Sequence, residues 1–148
     1  MINQIPPIPG TIELTVDPAL LQMVLGSLKM GSQAHFAIYA SDDNLTQLVT
    51  KTHAAFIMAG YLFAMPGQSR PVPQGERLTG FYTQAGRPDL LFAAETLPDP
   101  SRVTTASALA PGMDAMSMQE ILKQARGKKS AITIISAPNL LTRMLGGF

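Results

Sequence analysis

The alternation of apolar and polar residues along the chain predicts five β-strands. They fall over residues 11–16, 34–40, 78–84, 90–96 and 131–136. The first has the period-two pattern of a strand with one buried face, whereas the second is apolar on both faces and is expected to be central. Residues 85–88 contain Gly and Pro and separate two β-rich runs, which indicates a hairpin.

Three helices are predicted from periodicity and end signals. Asp17 and Pro18 form a strong start for a helix that runs to about Met30. A second helix begins near Leu45, after a polar cluster whose side chains could cap it. The apolar run from Ala54 to Met65 is interpreted as buried core helix, because a membrane span needs about 20 apolar residues. Ser117 and Glu120 have capping-box spacing and predict the start of the third helix.

This order of elements predicts an α+β fold in a single domain. The expected architecture is a mixed sheet of about five strands with about three helices packed mainly on one face. Residues 1–10, which hold three prolines, are predicted to form an extended N-terminal arm. Residues 11–148 form the domain, with a long loop rich in Pro, Ala, Ser and Met near 97–117.

Composition favours a protein that hides surface in contacts. Charged residues make up 14% of the 148 residues and hydrophobic residues 46%, whereas soluble domains carry about 25% charged residues. A chain so poor in charge must cover its surface with neutral polar groups or bury it in an oligomer. The sequence has no cysteine, so disulfides and cysteine-ligated metals are excluded. The first ten residues lack the basic start of a secretory signal, and a cytoplasmic location without a membrane span is expected.

No catalytic residue, metal ligand or cofactor is predicted. The two histidines, His35 and His53, lack a partner at metal-ligand spacing. Gly26 and Gly31 have the spacing of a phosphate loop without its lysine, and they end a helix where such a loop would begin one. The adjacent Asp42 and Asp43 are best explained as capping residues at a helix start.

A basic cluster offers one candidate for nucleic-acid contact. It consists of Lys123, Arg126, Lys128 and Lys129. Such a patch could bind phosphates. Basic residues near the C-terminal end of a helix also complement its dipole, which is the simpler explanation.

The first hypothesis for function is a non-enzymatic subunit of a virion, secretion apparatus or similar complex, acting through self-association or a protein partner. The predicted contact residues are apolar and lie in the arm, the loop and the C-terminal tail: Ile2, Ile5, Ile8, Met113, Met116, Leu145 and Phe148. A nucleic-acid-binding accessory protein is the first alternative. The second is a small-ligand binder or enzyme whose groups converge only in space, with Arg70, Glu76 and Arg77 as candidates.

Overall fold

The computed structural model describes residues 5–27, 34–66, 70–72, 75–98, 101 and 115–140. Its strands are β1 Thr11–Leu14, β2 His35–Ser41, β3 Leu62–Pro66, β4 Arg70–Val72, β5 Gly75–Thr83, β6 Asp89–Thr96 and β7 Ser130–Ala137. Its helices are α1 Pro18–Ser27, α2 Leu45–Met58 and α3 Ala115–Gln124. The predicted α+β class is confirmed.

Six strands form one sheet in the order β1-β2-β7-β6-β5-β3, and β4 pairs with the first residues of β5. Every pairing among these strands is antiparallel, so the sheet is not mixed as expected, and it has six strands where five were predicted. The five predicted strands correspond to β1, β2, β5, β6 and β7. β1 and β3 lie at the two edges of the sheet.

The helices cover both faces of the sheet. Leu20 and Val24 of α1 and Ile121 of α3 pack with one set of strand residues around Phe36 and Ile135. α2 packs on the opposite face, where its Leu48 and Phe56 join a second cluster. Two of the three helices therefore share a face. β7, buried along its whole length, lies between the two clusters.

The apolar run from Ala54 to Met65 is not one helix, and here the prediction was wrong. α2 ends at Met58, and Gly60 takes a φ of 90° that favours glycine. The Gly60 amide donates to the carbonyl of Ile57, and the Tyr61 amide donates to that of Phe56. These two bonds form a Schellman motif, which ends the helix and turns the chain into β3.

The capping residues predicted from the sequence are found at the start of some helices and not of others. Asp17 accepts a hydrogen bond from the Ala19 amide at 2.8 Å, as predicted for a cap of α1. Asn44 caps α2 in a reciprocal capping box with Gln47. α3 begins at Ala115, so Ser117 lies inside its first turn and is not the predicted capping residue.

Candidate functional site

A groove of about 380 Å³ lies between α2 and the sheet. Its lining residues come from one helix and three strands: Val49, Thr50, His53, Phe63, Leu78, Thr79, Tyr82 and Phe92. The groove exists because the antiparallel pairing of β3 with β5 sets Phe63 opposite Tyr82, beside the helix that precedes β3. Concave, mostly apolar sites of about 300–1,000 Å³ are the usual places for small ligands.

The polar corner of this groove is a histidine–tyrosine pair. His53 Nδ1 lies 2.5 Å from the Tyr82 hydroxyl. Burial raises the pKa of Tyr82 to about 12, so the phenol is neutral at physiological pH and can donate to Nδ1 or accept from it. Within the described residues, His53 Nε2 has no hydrogen bond, which leaves it as the ring atom that could meet a bound molecule.

Aromatic rings form the floor and one wall of the groove. The Tyr82 ring meets Phe56 edge-on at 4.7 Å between centroids and Phe63 at 5.3 Å. Gly80, two residues before Tyr82, allows Phe92 to lie against the backbone, because a Cβ at Gly80 would be 2.6 Å from Phe92 Cε1. The absence of a side chain at Gly80 is therefore what allows Phe92 to pack in this position.

An exposed apolar surface adjoins the groove, and we call it the 57–63 patch. It consists of Ile57, Met58, Leu62 and Phe63, whose exposed fractions are 44%, 80%, 69% and 48%. The described part of the chain exposes three other large apolar side chains, and these are scattered: Ile12, Met23 and Met116. Single exposed apolar residues are normal, whereas a cluster marks a contact surface.

The chain around this patch is free of formal charge. No Asp, Glu, Lys or Arg occurs between Lys51 and Arg70. In β3 a bulge at Ala64 interrupts the ladder with β5, and Pro66 has no amide hydrogen to donate. The surface is therefore better suited to packing of side chains than to extension of the sheet by another strand.

The basic cluster is partly neutralised by nearby carboxylates. Lys123 Nζ lies 3.1 Å from Glu120, and Lys128 Nζ lies 3.1 Å from Asp42. Arg126 and Lys129 are exposed. These ion pairs reduce the positive charge that the cluster offers to phosphates.

Asp42 and Asp43 each pair with a lysine, and Asn44 is the residue that caps α2. Asp43 accepts from Lys51 Nζ at 2.6 Å, and this hydrogen bond lowers the pKa of the carboxyl. The two carboxylates therefore have lysine partners, and the capping role predicted for them is taken by Asn44.

The predicted partner contacts have different surroundings. Ile8 is buried against the core with 4% exposure, and Ile5 packs beside it, so both mainly stabilise the domain. Met116 is 80% exposed at the start of α3. Ile2, Met113, Leu145 and Phe148 lie outside the described residues, as does most of the 97–117 loop. The 57–63 patch was not among the predicted contacts, because its residues fall in the run that was predicted to be a buried helix.

Of the residues suggested for a ligand or enzyme site, Arg77 forms a buried ion pair. Its Nε and Nη2 lie 3.2 and 3.4 Å from the two oxygens of Glu95. Glu95 is 1% exposed, and burial raises its pKa to about 7 although Arg77 acts to lower it. Glu76 is exposed, and the side chain of Arg70 lies outside the described residues. The pair joins β5 to β6 and does not line the groove.

Within the described residues, no three His, Asp or Glu side chains are grouped so as to hold a metal ion. The same residues include no helix long and apolar enough to cross a membrane. Comparison of the chain with protein-family models, curated proteins and solved structures finds no match.

Proposed function

We propose that this protein is a non-enzymatic subunit that associates with copies of itself through the 57–63 patch, as a building block of a larger complex. The observation that carries the proposal is the cluster of exposed apolar side chains within residues 57–63. Covering such side chains is favourable by about 25 cal/mol for each Å² of apolar surface removed from water.

The low charge of the whole chain supports the same proposal. Only 14% of its residues are charged, and residues 52–69 contain no formal charge. Charged residues are depleted at the centres of protein interfaces, where Met and Phe are enriched. Met58 and Phe63 therefore belong to residue types that such centres favour.

A two-fold contact, in which the same patch on each copy faces the other, is the simplest arrangement that covers this patch. The bulge in β3 and Pro66 make a continuous intermolecular sheet unfavourable. We therefore propose that the copies meet by packing of side chains, with Met58 and Leu62 near the centre of the contact.

The experiment is a measurement of solution mass by light scattering on a size-exclusion column over a wide range of concentration. We expect the wild type to exceed the 15.8 kDa of one chain. We expect Met58→Lys/Leu62→Lys to elute as a folded monomer, because charged side chains cannot be buried in an apolar contact without a large cost.

The matched control is Ile12→Lys/Met23→Lys, which also replaces two exposed apolar residues by lysine but on β1 and α1. Its mass should equal that of the wild type. A monomeric wild type, or equal effects of the two double variants, would overturn the proposal. Recording absorbance at 260 and 280 nm across the peak shows whether bound nucleic acid accounts for the mass.

A further inference from the structure

We infer that the groove between α2 and the sheet binds a small aromatic alcohol, meaning a molecule of one or two fused rings with a single hydroxyl group. This inference does not rest on self-association. It rests on the groove's volume of about 380 Å³, the arrangement of its rings and the hydrogen-bonded pair of His53 and Tyr82.

The size and lining of the groove set the apolar part of the ligand. Val49 and Leu78 line its aliphatic side, and Phe63, Tyr82 and Phe92 supply the rings. Aromatic rings prefer edge-to-face or offset contacts with centroids 4.5–7 Å apart. The wall rings Phe63 and Tyr82 already meet edge-on in this way, so a planar ring in the groove extends the same pattern of contacts.

The polar atoms of the groove set the remaining part of the ligand. The Thr50 hydroxyl already donates to the carbonyl of Thr46 at 2.9 Å, and Thr79, which also lines the groove, has an interaction of its own. His53 Nδ1 is engaged by Tyr82 at 2.5 Å, so Nε2 is the atom that can bond to a ligand. Nε2 is a donor when Nδ1 accepts from Tyr82 and an acceptor when Nδ1 donates to it.

A hydroxyl group satisfies either state of Nε2, because it both donates and accepts hydrogen bonds. A carboxylate could only accept, and an ammonium group could only donate. None of the residues that line the groove carries a formal charge. The chemistry of the groove therefore favours a neutral aromatic alcohol over a charged ligand.

The probe is 1-naphthol, with naphthalene as the matched compound that lacks the hydroxyl. Binding is followed by titration of the ¹⁵N-labelled protein by NMR, in the wild type and in Met58→Lys/Leu62→Lys. We expect saturable binding in both, with shifts confined to α2, β3, β5 and the part of β6 around Phe92. We expect 1-naphthol to bind about fivefold more tightly than naphthalene, which is the effect of one hydrogen bond.

Two variants test the location and the polar contact. Thr50→Phe fills the groove and should abolish binding. Thr46→Phe, one turn earlier on the same exposed face of α2 but outside the lining of the groove, should not. His53→Phe keeps a ring at this position and should remove the preference for 1-naphthol over naphthalene.

Three results would overturn the inference: no saturable binding of 1-naphthol, equal binding to Thr50→Phe and the wild type, or a preference that survives in His53→Phe. Binding that persists in the Met58→Lys/Leu62→Lys variant separates the groove from self-association. A monomeric wild type would therefore not contradict ligand binding in the groove. Likewise, a failure to bind 1-naphthol would not contradict self-association.

Discussion

The two edge strands of the sheet, β1 and β3, differ in charge and in how far other elements cover them. β1 exposes Glu13, and the backbone just beyond it is tied to α3 by Gln124, which accepts from the Thr15 amide and donates to the Thr15 carbonyl. β3 has no charged residue, and its first three residues are exposed. Edge strands are usually protected by charge, by short length or by a covering element. This contrast supports the proposal that another molecule covers β3 and leaves β1 facing water.

The largest expected effect concerns Glu95, which lies in β6 between the two edges. Its pKa is about 7 in the folded protein against an ordinary 4.5, so over this interval the folded state retains a proton that the unfolded state loses. Stability should therefore fall by about 3 kcal/mol as pH rises through this window, and then level off. Denaturant unfolding at a series of pH values measures this change in the free energy of unfolding.

Glu95→Gln is the control for that titration, since a neutral amide cannot lose the proton. The variant should lose this part of the pH dependence. If association depends on the 57–63 patch and not on global stability, oligomer mass at constant pH should be the same in the variant and the wild type. Parallel stability curves for the two proteins would refute the assignment to Glu95.

The next effect concerns Gly80, which is the register partner of Pro66 at the end of β3. Gly80→Ala would bring a Cβ to 2.6 Å from a carbon of Phe92, a residue 4% exposed and held among other rings. We expect a loss of about 1–3 kcal/mol in the free energy of unfolding, as for other overpacked cores. Thermal and denaturant unfolding measure this loss, and an unchanged stability would show that the ring moves freely.

Introducing one lysine at each edge strand compares how much each edge contributes to association. Leu62→Lys should weaken association about tenfold, because a buried leucine contributes about 1.5 kcal/mol or more. Ile12→Lys at β1 should leave the dissociation constant unchanged. Sedimentation equilibrium measures both. Equal weakening at the two edges would remove the distinction between them.

The smallest effect is expected on the β1 side, at Gly26 in α1. Among the residues that the structure describes, a Cβ at this position would meet nothing within 4 Å. Gly26→Ala should stabilise the protein by less than about 1 kcal/mol, since alanine favours the helix more than glycine does. A loss of stability on denaturant unfolding would show that the end of α1 is more constrained than its surroundings indicate.

Most of the fold could be predicted from the sequence, because local patterns coincide with the elements. The alternation over residues 11–16 and the hairpin at residues 85–88 correspond to β1 and to the turn between β5 and β6. β3 was missed, because an apolar run has no period that separates helix from strand. Gly60 followed by Tyr61 was the available signal, as glycine commonly ends a helix in this position.

The candidate site could not be predicted in the same way. His53, Phe63 and Tyr82 belong to three elements, and only the pairing of β3 with β5 brings them together. The 57–63 patch depends on the same missed strand, since in a continuous buried helix these side chains would be covered. The error in one element therefore concealed both the groove and the patch.

The central claim is that association covers the β3 edge and leaves the β1 edge open. Because the chain contains no cysteine, Met58→Cys and Ile12→Cys each introduce one unique thiol for alkylation by a maleimide. The account predicts that the rate at Met58→Cys falls as protein concentration rises, while the rate at Ile12→Cys stays constant. Rates that remain constant at both positions, or fall equally at both, would contradict it.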